Sequence, residues 1–214
     1  MSTALRIAVV VLVATLAAWA GMWLARQQGT ASAPPALEHA TVFPAGRPLS
    51  DFSLVDQLGQ PFGPSRLRGQ WSLLFFGFTQ CPDVCPTTLA TLAAARRELA
   101  DLPVQQQPNV VLVSVDPGRD TVERLREYVR FFDPSFTAVT GEAAVLEKLT
   151  KELGVAVIVG EPDAAGNYTI DHTATLFLLG PDGSLAAVFG TPHTPDGVAH
   201  DYRMILDYLD GRRG

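Results

Sequence analysis

Two apolar runs constrain this chain more than any other feature. Trp71 to Phe78 reads WSLLFFGF, and Asn109 to Val115 reads NVVLVSV. Neither alternates polar with apolar residues, which is the pattern of strands covered on both faces. Between them Leu89, Leu92 and Leu99 recur at helical spacing, which predicts a helix from Pro86 to about Leu102. After the second run, Asp120 precedes Val122, Leu125, Val129 and Phe132, again at helical spacing. Phe136–Thr140 reads as a strand, Glu142–Leu153 as a helix and Val155–Val159 as a strand. Thr175–Leu179 and Leu185–Phe189 flank Gly180-Pro181-Asp182-Gly183 and predict a hairpin, and Val198–Leu209 reads as a closing helix. Phe52–Val55 and the Gln57–Phe62 turn suggest a short hairpin ahead of all this. The expected fold class is α/β, with helices flanking a mixed central sheet. In such sheets ligand sites lie beyond the carboxyl ends of the strands, here the neighbouring loops that carry Cys81 and Asp116.

The N-terminus is a separate unit. Ile7 to Leu24 carries no charge and only Thr15 as a polar residue, and as a helix it would run ~27 Å, close to the thickness of a bilayer's hydrocarbon core. Arg6 and Arg26 bracket it, and Trp19 and Trp23 sit near one end. Ala18-Trp19-Ala20 resembles a signal-peptidase site, but the apolar run continues to Leu24, longer than a usual signal core. Residues 1–26 are therefore expected to be an uncleaved transmembrane helix, with the remainder extracytoplasmic. Residues 27–48 are small and include four prolines, which predicts a stalk with neither helix nor sheet. Residues 49–214 are then one domain. The net charge of −6 argues against a nucleic-acid partner, which calls for a basic face.

With two cysteines in 214 residues, disulfides cannot supply the scaffold, so the pair is expected to serve chemistry. Both lie in CPDVCP, residues 81–86, and each precedes a proline that disfavours helical geometry at the cysteine. Pro86 suits the first turn of a helix. The pair is thus expected on a constrained loop leading into a helix, where the positive end of the helix would lower thiol pKa values. Thiolates serve both disulfide exchange and metal binding, so this step leaves the two chemistries open. Haem attachment is disfavoured, because Pro86 stands where the haem motif has histidine. Two thiolates with one imidazole suit Cu(I). Of the four histidines, His39 lies in the stalk, and His193 and His200 read as solvated surface residues, with an accessory site as their alternative role. His172, in YTIDHT before the strand at Thr175, is the candidate third ligand. Asp171 beside it is a candidate to orient the imidazole or raise its basicity, and Asp116 at the neighbouring strand end is a further candidate carboxylate behind the site.

GFTQCPDVCPTTL, VSVDPGRDT, YVRFFDPSFTAVTG and YTIDHTATLFLLGPDG, together with the N-terminal span, resemble the Sco/SenC family. The match runs in order from about Leu49 to Leu209. The resemblance implies a thioredoxin-like fold and a membrane-tethered copper metallochaperone serving the CuA centre of cytochrome c oxidase. It places the copper ligands, for Cu(I), Cu(II) or both, on Cys81, Cys85 and His172, and makes residues 160–172 the loop that carries His172 over the thiols. Implied partners are the copper-centre subunit of the oxidase, another copper donor protein or a thiol reductant, and the membrane, on its periplasmic side in a bacterium. The alternative is an enzyme, a thiol–disulfide oxidoreductase that reduces the target's cysteines. Thioredoxin-like reductases resemble one another in a cis-proline opposite the cysteines, a position that falls on Ala174 here, and this weighs towards metal.

Overall fold

The computed structural model describes residues 3–27 and 35–211. Thr3–Gln27 forms the long helix α1, apolar on every side from Ile7 to Trp23. Thr15, its one polar residue within the apolar stretch apart from the tryptophans, donates its hydroxyl to the Leu12 carbonyl at 2.9 Å, so this hydroxyl has a partner within the helix.

The domain is built on an eight-stranded mixed sheet. Its strands are β1 (Ala40–Arg47), β2 (Leu54–Asp56), β3 (Pro61–Phe62), β4 (Ser72–Gly77), β5 (Asn109–Ser114), β6 (Thr137–Thr140), β9 (Leu176–Leu179) and β10 (Leu185–Phe189). Between β6 and β9 the chain forms a separate two-stranded ribbon, β7 (Val157–Val159) with β8 (Ile170–His172). The order across the main sheet is β1-β10-β9-β4-β5-β6-β2-β3. β4 and β5 run parallel at its centre, every residue of both apart from Asn109 is buried, and this accounts for the two unbroken apolar runs. Helices α2 (Val84–Glu98) and α3 (Val122–Phe132) are the crossovers β4-α2-β5 and β5-α3-β6, and right-handed crossovers place both on one face. α2 packs against α3 and against the last helix, α5 (Pro195–Asp210). α4 (Ala143–Leu153) buries Leu146, Leu149 and Leu153. The β9–β10 hairpin closes through the expected turn, with Gly183 at φ +81°, a conformation other residues rarely adopt.

The stalk expected over residues 27–48 needs correcting. Residues 28–34 lie outside the described residues, but Ala40–Arg47 is an edge strand paired antiparallel with β10, Ala40 opposite Phe189. An edge strand tolerates Pro44, and a register shift between Val42 and Arg47 absorbs Gly46 at φ +65°. The entry to this strand is held from a distance. Asp201, fully buried on α5, accepts backbone N–H bonds from Glu38, His39 and Ala40 at 2.8–2.9 Å. His39 is accordingly half-buried rather than free on a stalk. The helix expected from Pro86 begins at Val84 and ends at Glu98. Pro86 sits in its first turn, where the N–H it lacks has no intrahelical partner. That same first turn contains Cys85, so the cysteines are not both on a loop.

Asp201→Asn should lose about 2–4 kcal/mol of unfolding free energy, because a neutral amide leaves buried N–H donors poorly matched. Urea denaturation measures this, and a loss below about 0.5 kcal/mol would show that the Asp201 bonds do not anchor β1.

Candidate metal centre

The site forms where three segments converge beyond the carboxyl ends of β4 and β5. The thiol loop leaves β4 at Gly77, and a Cβ at that position would lie 3.0 Å from the Cys85 sulfur and 3.0 Å from the Phe75 ring. Glycine lets the first turn of α2 come this close to the strand without pressing the Cys85 and Phe75 side chains aside. Cys85 is fully buried there, while Cys81, on the loop, is half-buried beside a cavity of about 290 Å³. The Cys85 backbone N–H points at the Cys81 sulfur, 3.4 Å away. Both cysteines are free thiols.

His172 reaches the same point from the last position of β8. Its Nε2 lies 3.4 Å from the Cys85 sulfur, and the potential ligand atoms of Cys81, Cys85 and His172 all fall within 4.8 Å of one another. Among the described residues this is the one His, Cys, Asp and Glu group gathered closely enough to hold a metal ion. The other ring nitrogen, Nδ1, is 3.2 Å from the Thr173 carbonyl. An N–H there donates to that oxygen and leaves the Nε2 lone pair facing the sulfurs. The rings of Phe75 and Phe78 stand edge-on to the imidazole, with centroids at 5.8 and 6.1 Å.

Burial sets the protonation of the site. It pushes the Cys85 thiol well above its usual range, with a bond to Cys81 adding to the rise. The expected lowering of this thiol by the helix terminus is overturned. A helix N-terminus contributes about 0.3–1 kcal/mol, whereas burial shifts pKa values by up to ~3–5 units. Burial also lowers the His172 imidazole, opposed by its bond to Thr173 and the charge of Asp171, so it is neutral and basic at Nε2 near pH 7.

The candidate carboxylates meet expectation only in part. Asp171 is exposed on β8, and the Thr173 carbonyl occupies the imidazole position it was expected to orient, but its charge raises the basicity of His172. Asp116 bonds neither thiol nor imidazole. It accepts from the Tyr168 hydroxyl at 2.7 Å and from Arg119 at 2.5 Å. Asp120, which the sequence marked only as a helix start, is buried and joins two loops. It accepts from the Thr79 backbone and hydroxyl on the thiol loop, and from Ser114 at the end of β5. Thr121 caps α3 through Arg124. VSVDPGRDT therefore carries a structural role at nearly every polar position, a signal available in its density of Asp, Arg and Thr next to the thiol loop. Residues 160–169 do form a loop, and it joins β7 to β8; the part that differs from expectation is its end, where Ile170–His172 is a strand with His172 opposite Val157. His193 is half-buried rather than solvated, its Nε2 2.6 Å from the Ala174 carbonyl, and His200 is exposed on α5. Neither joins the three-residue cluster.

The SCO1/SenC family model matches residues 44–207. The chain belongs to the SCO1/SenC family. A putative copper-binding protein of Stutzerimonas stutzeri is 39% identical over 80% of this chain and 84% of its own length. The mitochondrial SCO2 homolog of Mus musculus is 36% identical over 72% of this chain, which spans only 60% of that longer protein. Among solved structures, Arabidopsis thaliana ScoI with copper bound superposes with a TM-score of 0.69 at 31% identity, covering 74% of this chain and 98% of that one. The fold is thus the thioredoxin-like fold of Sco proteins, extended here by an N-terminal apolar helix.

The half-buried histidines give the Sco domain a pH-dependent stability. Burial lowers the His193 imidazole below its ordinary 6.5, and it does the same to His172. As pH falls below that value, the unfolded chain takes up protons that the folded domain refuses, so stability declines through the acid side. Urea melts at about pH 7.5 and pH 5 should show the decline, and His193→Gln, which leaves the thiols and His172 in place, should make it shallower. An unchanged slope in His193→Gln would contradict this assignment.

Proposed function

We propose that this Sco protein is a membrane-tethered copper metallochaperone that binds its cargo through Cys81, Cys85 and His172 and delivers it to the CuA centre of cytochrome c oxidase. One observation carries the reading: two sulfurs and an imidazole nitrogen converge within 4.8 Å, and the second imidazole nitrogen is committed elsewhere. Two thiolates and a neutral imidazole form a soft, low-number donor set, which suits copper and falls short of the four ligands of a closed zinc site. The half-buried Cys81, beside an open cavity, gives an acceptor thiolate access for ligand exchange, while fully buried Cys85 retains the ion until a better donor set arrives. α1 holds the domain to the membrane, with the copper site on the extracytoplasmic side, where the copper-centre subunit and a copper donor or thiol reductant are met.

The placement of the Cys85 N–H against the Cys81 sulfur favours a second reading that is compatible with the first. The dithiol reduces a disulfide in the target: Cys81 attacks as thiolate, Cys85 displaces the target thiolate from the mixed disulfide, and the chain is left oxidised while the target gains two thiols. Only the reduced pair offers two thiolates to copper, so the two activities alternate.

Competition with a Cu(I) chelator tests the assignment. His172→Ala should weaken binding about 10–100-fold while dithiol exchange persists, and Cys81→Ser should abolish both. Copper binding in His172→Ala equal to that of the wild type would remove the chaperone reading and leave the reductase.

A further inference from the structure

We infer that Arg119 is a positioning residue that clasps the histidine-bearing hairpin against the thiol loop; this rests on the copper reading above. Arg119 lies on neither segment. It sits in the turn between β5 and α3, three residues beyond Asp116, which accepts from its Nε. Its guanidinium reaches both halves of the site. Nη1 donates to the Tyr168 carbonyl at 2.8 Å and to the Gln80 side-chain oxygen at 3.4 Å. Gln80 immediately precedes Cys81, and Tyr168 lies two residues before β8, the strand that ends in His172. The guanidinium carbon lies 3.6 Å from the Tyr168 ring centroid and 5.9 Å from that of Phe78, the ring that stands edge-on to His172. The Tyr168 hydroxyl closes the circuit by donating to Asp116.

The need for such a clasp follows from the topology. β7 and β8 pair with each other and with no strand of the main sheet, so the ladder that fixes the thiol loop does not fix His172. A two-stranded ribbon is marginal on its own and takes its position from side-chain packing. The planar fork and flat face of arginine supply hydrogen bonds and stacking from one group, and a lysine ammonium supplies neither the fork nor the face. Arg119 therefore holds the distance between imidazole and sulfurs, and touches no ligand atom itself.

Two measurements test this. In the metal-free protein, Arg119→Ala should speed amide exchange at least about 10-fold across Val157–Val159 and Ile170–His172, with the β4 and β5 amides unchanged. In Cu(I) competition, Arg119→Ala should lose affinity about 10-fold, and adding Arg119→Ala to His172→Ala should cost nothing further, because both remove the same contact. Arg119→Lys should restore neither property. If Arg119→Ala does not fold, Tyr168→Leu, which removes the stacked ring, should give the same pattern. Unchanged hairpin exchange, additive affinity losses, or full rescue by lysine would each overturn the inference. Failure of the wild-type protein to take up copper, with the hairpin still loosened in Arg119→Ala, would refute the copper reading and leave the clasp standing.

Discussion

The site depends on the close approach of Cys85 to Gly77. The buried thiol sits at the end of a central strand because the first turn of the next helix descends onto that strand, and a methyl at residue 77 would press on its sulfur at 3.0 Å, tighter than ordinary packing. Once that contact is made, other positions follow. The thiol loop is short and carries Cys81 out to the cavity. Asp120 ties the loop to β5 through Thr79 and Ser114, so two parallel strands and two loops behave as one rigid floor. The histidine is brought over this floor by the hairpin, which is built separately.

The floor is also an electrostatic setting. Desolvation keeps Cys85 protonated and His172 neutral in the metal-free protein, so these two groups place no uncompensated charge in a low-dielectric setting. A soft cation that displaces the Cys85 proton restores that balance with positive charge of its own. Oxidation to a disulfide removes the ionisable thiols altogether. Burial thus favours the two states in which the Cys85 sulfur is not a free anion, and this is the physical link between the proposed copper and redox roles.

Much of this was legible in the sequence, and the failures share a cause. WSLLFFGF and NVVLVSV gave away the buried parallel pair because burial on both faces leaves a local signature. Cys81 and Cys85 stood out because thiols are scarce here, and the family resemblance pointed to His172 among four histidines; the structure brings the ligand atoms of the three within 4.8 Å of one another. Ala40–Arg47 was hidden, since Pro44 and Gly46 read as strand breakers, while the strand is held by Asp201 more than 150 residues later. The helical position of Cys85 was masked by Pro86, whose local preference yields in a first turn. Arg119 and Tyr168 stood in quoted motifs without a role, because stacking between a turn and a hairpin tip has no periodicity to read. Local pattern records what a residue packs against along its own element, and long-range anchoring leaves no such trace.

The central claim is that copper is held jointly by the thiol loop and the hairpin. X-ray absorption at the copper edge of the Cu(I)-loaded, reduced protein measures this most directly. The account predicts two sulfur neighbours and one nitrogen neighbour, with the nitrogen lost in His172→Ala. A shell of sulfur alone, identical in the wild type and His172→Ala, would contradict it.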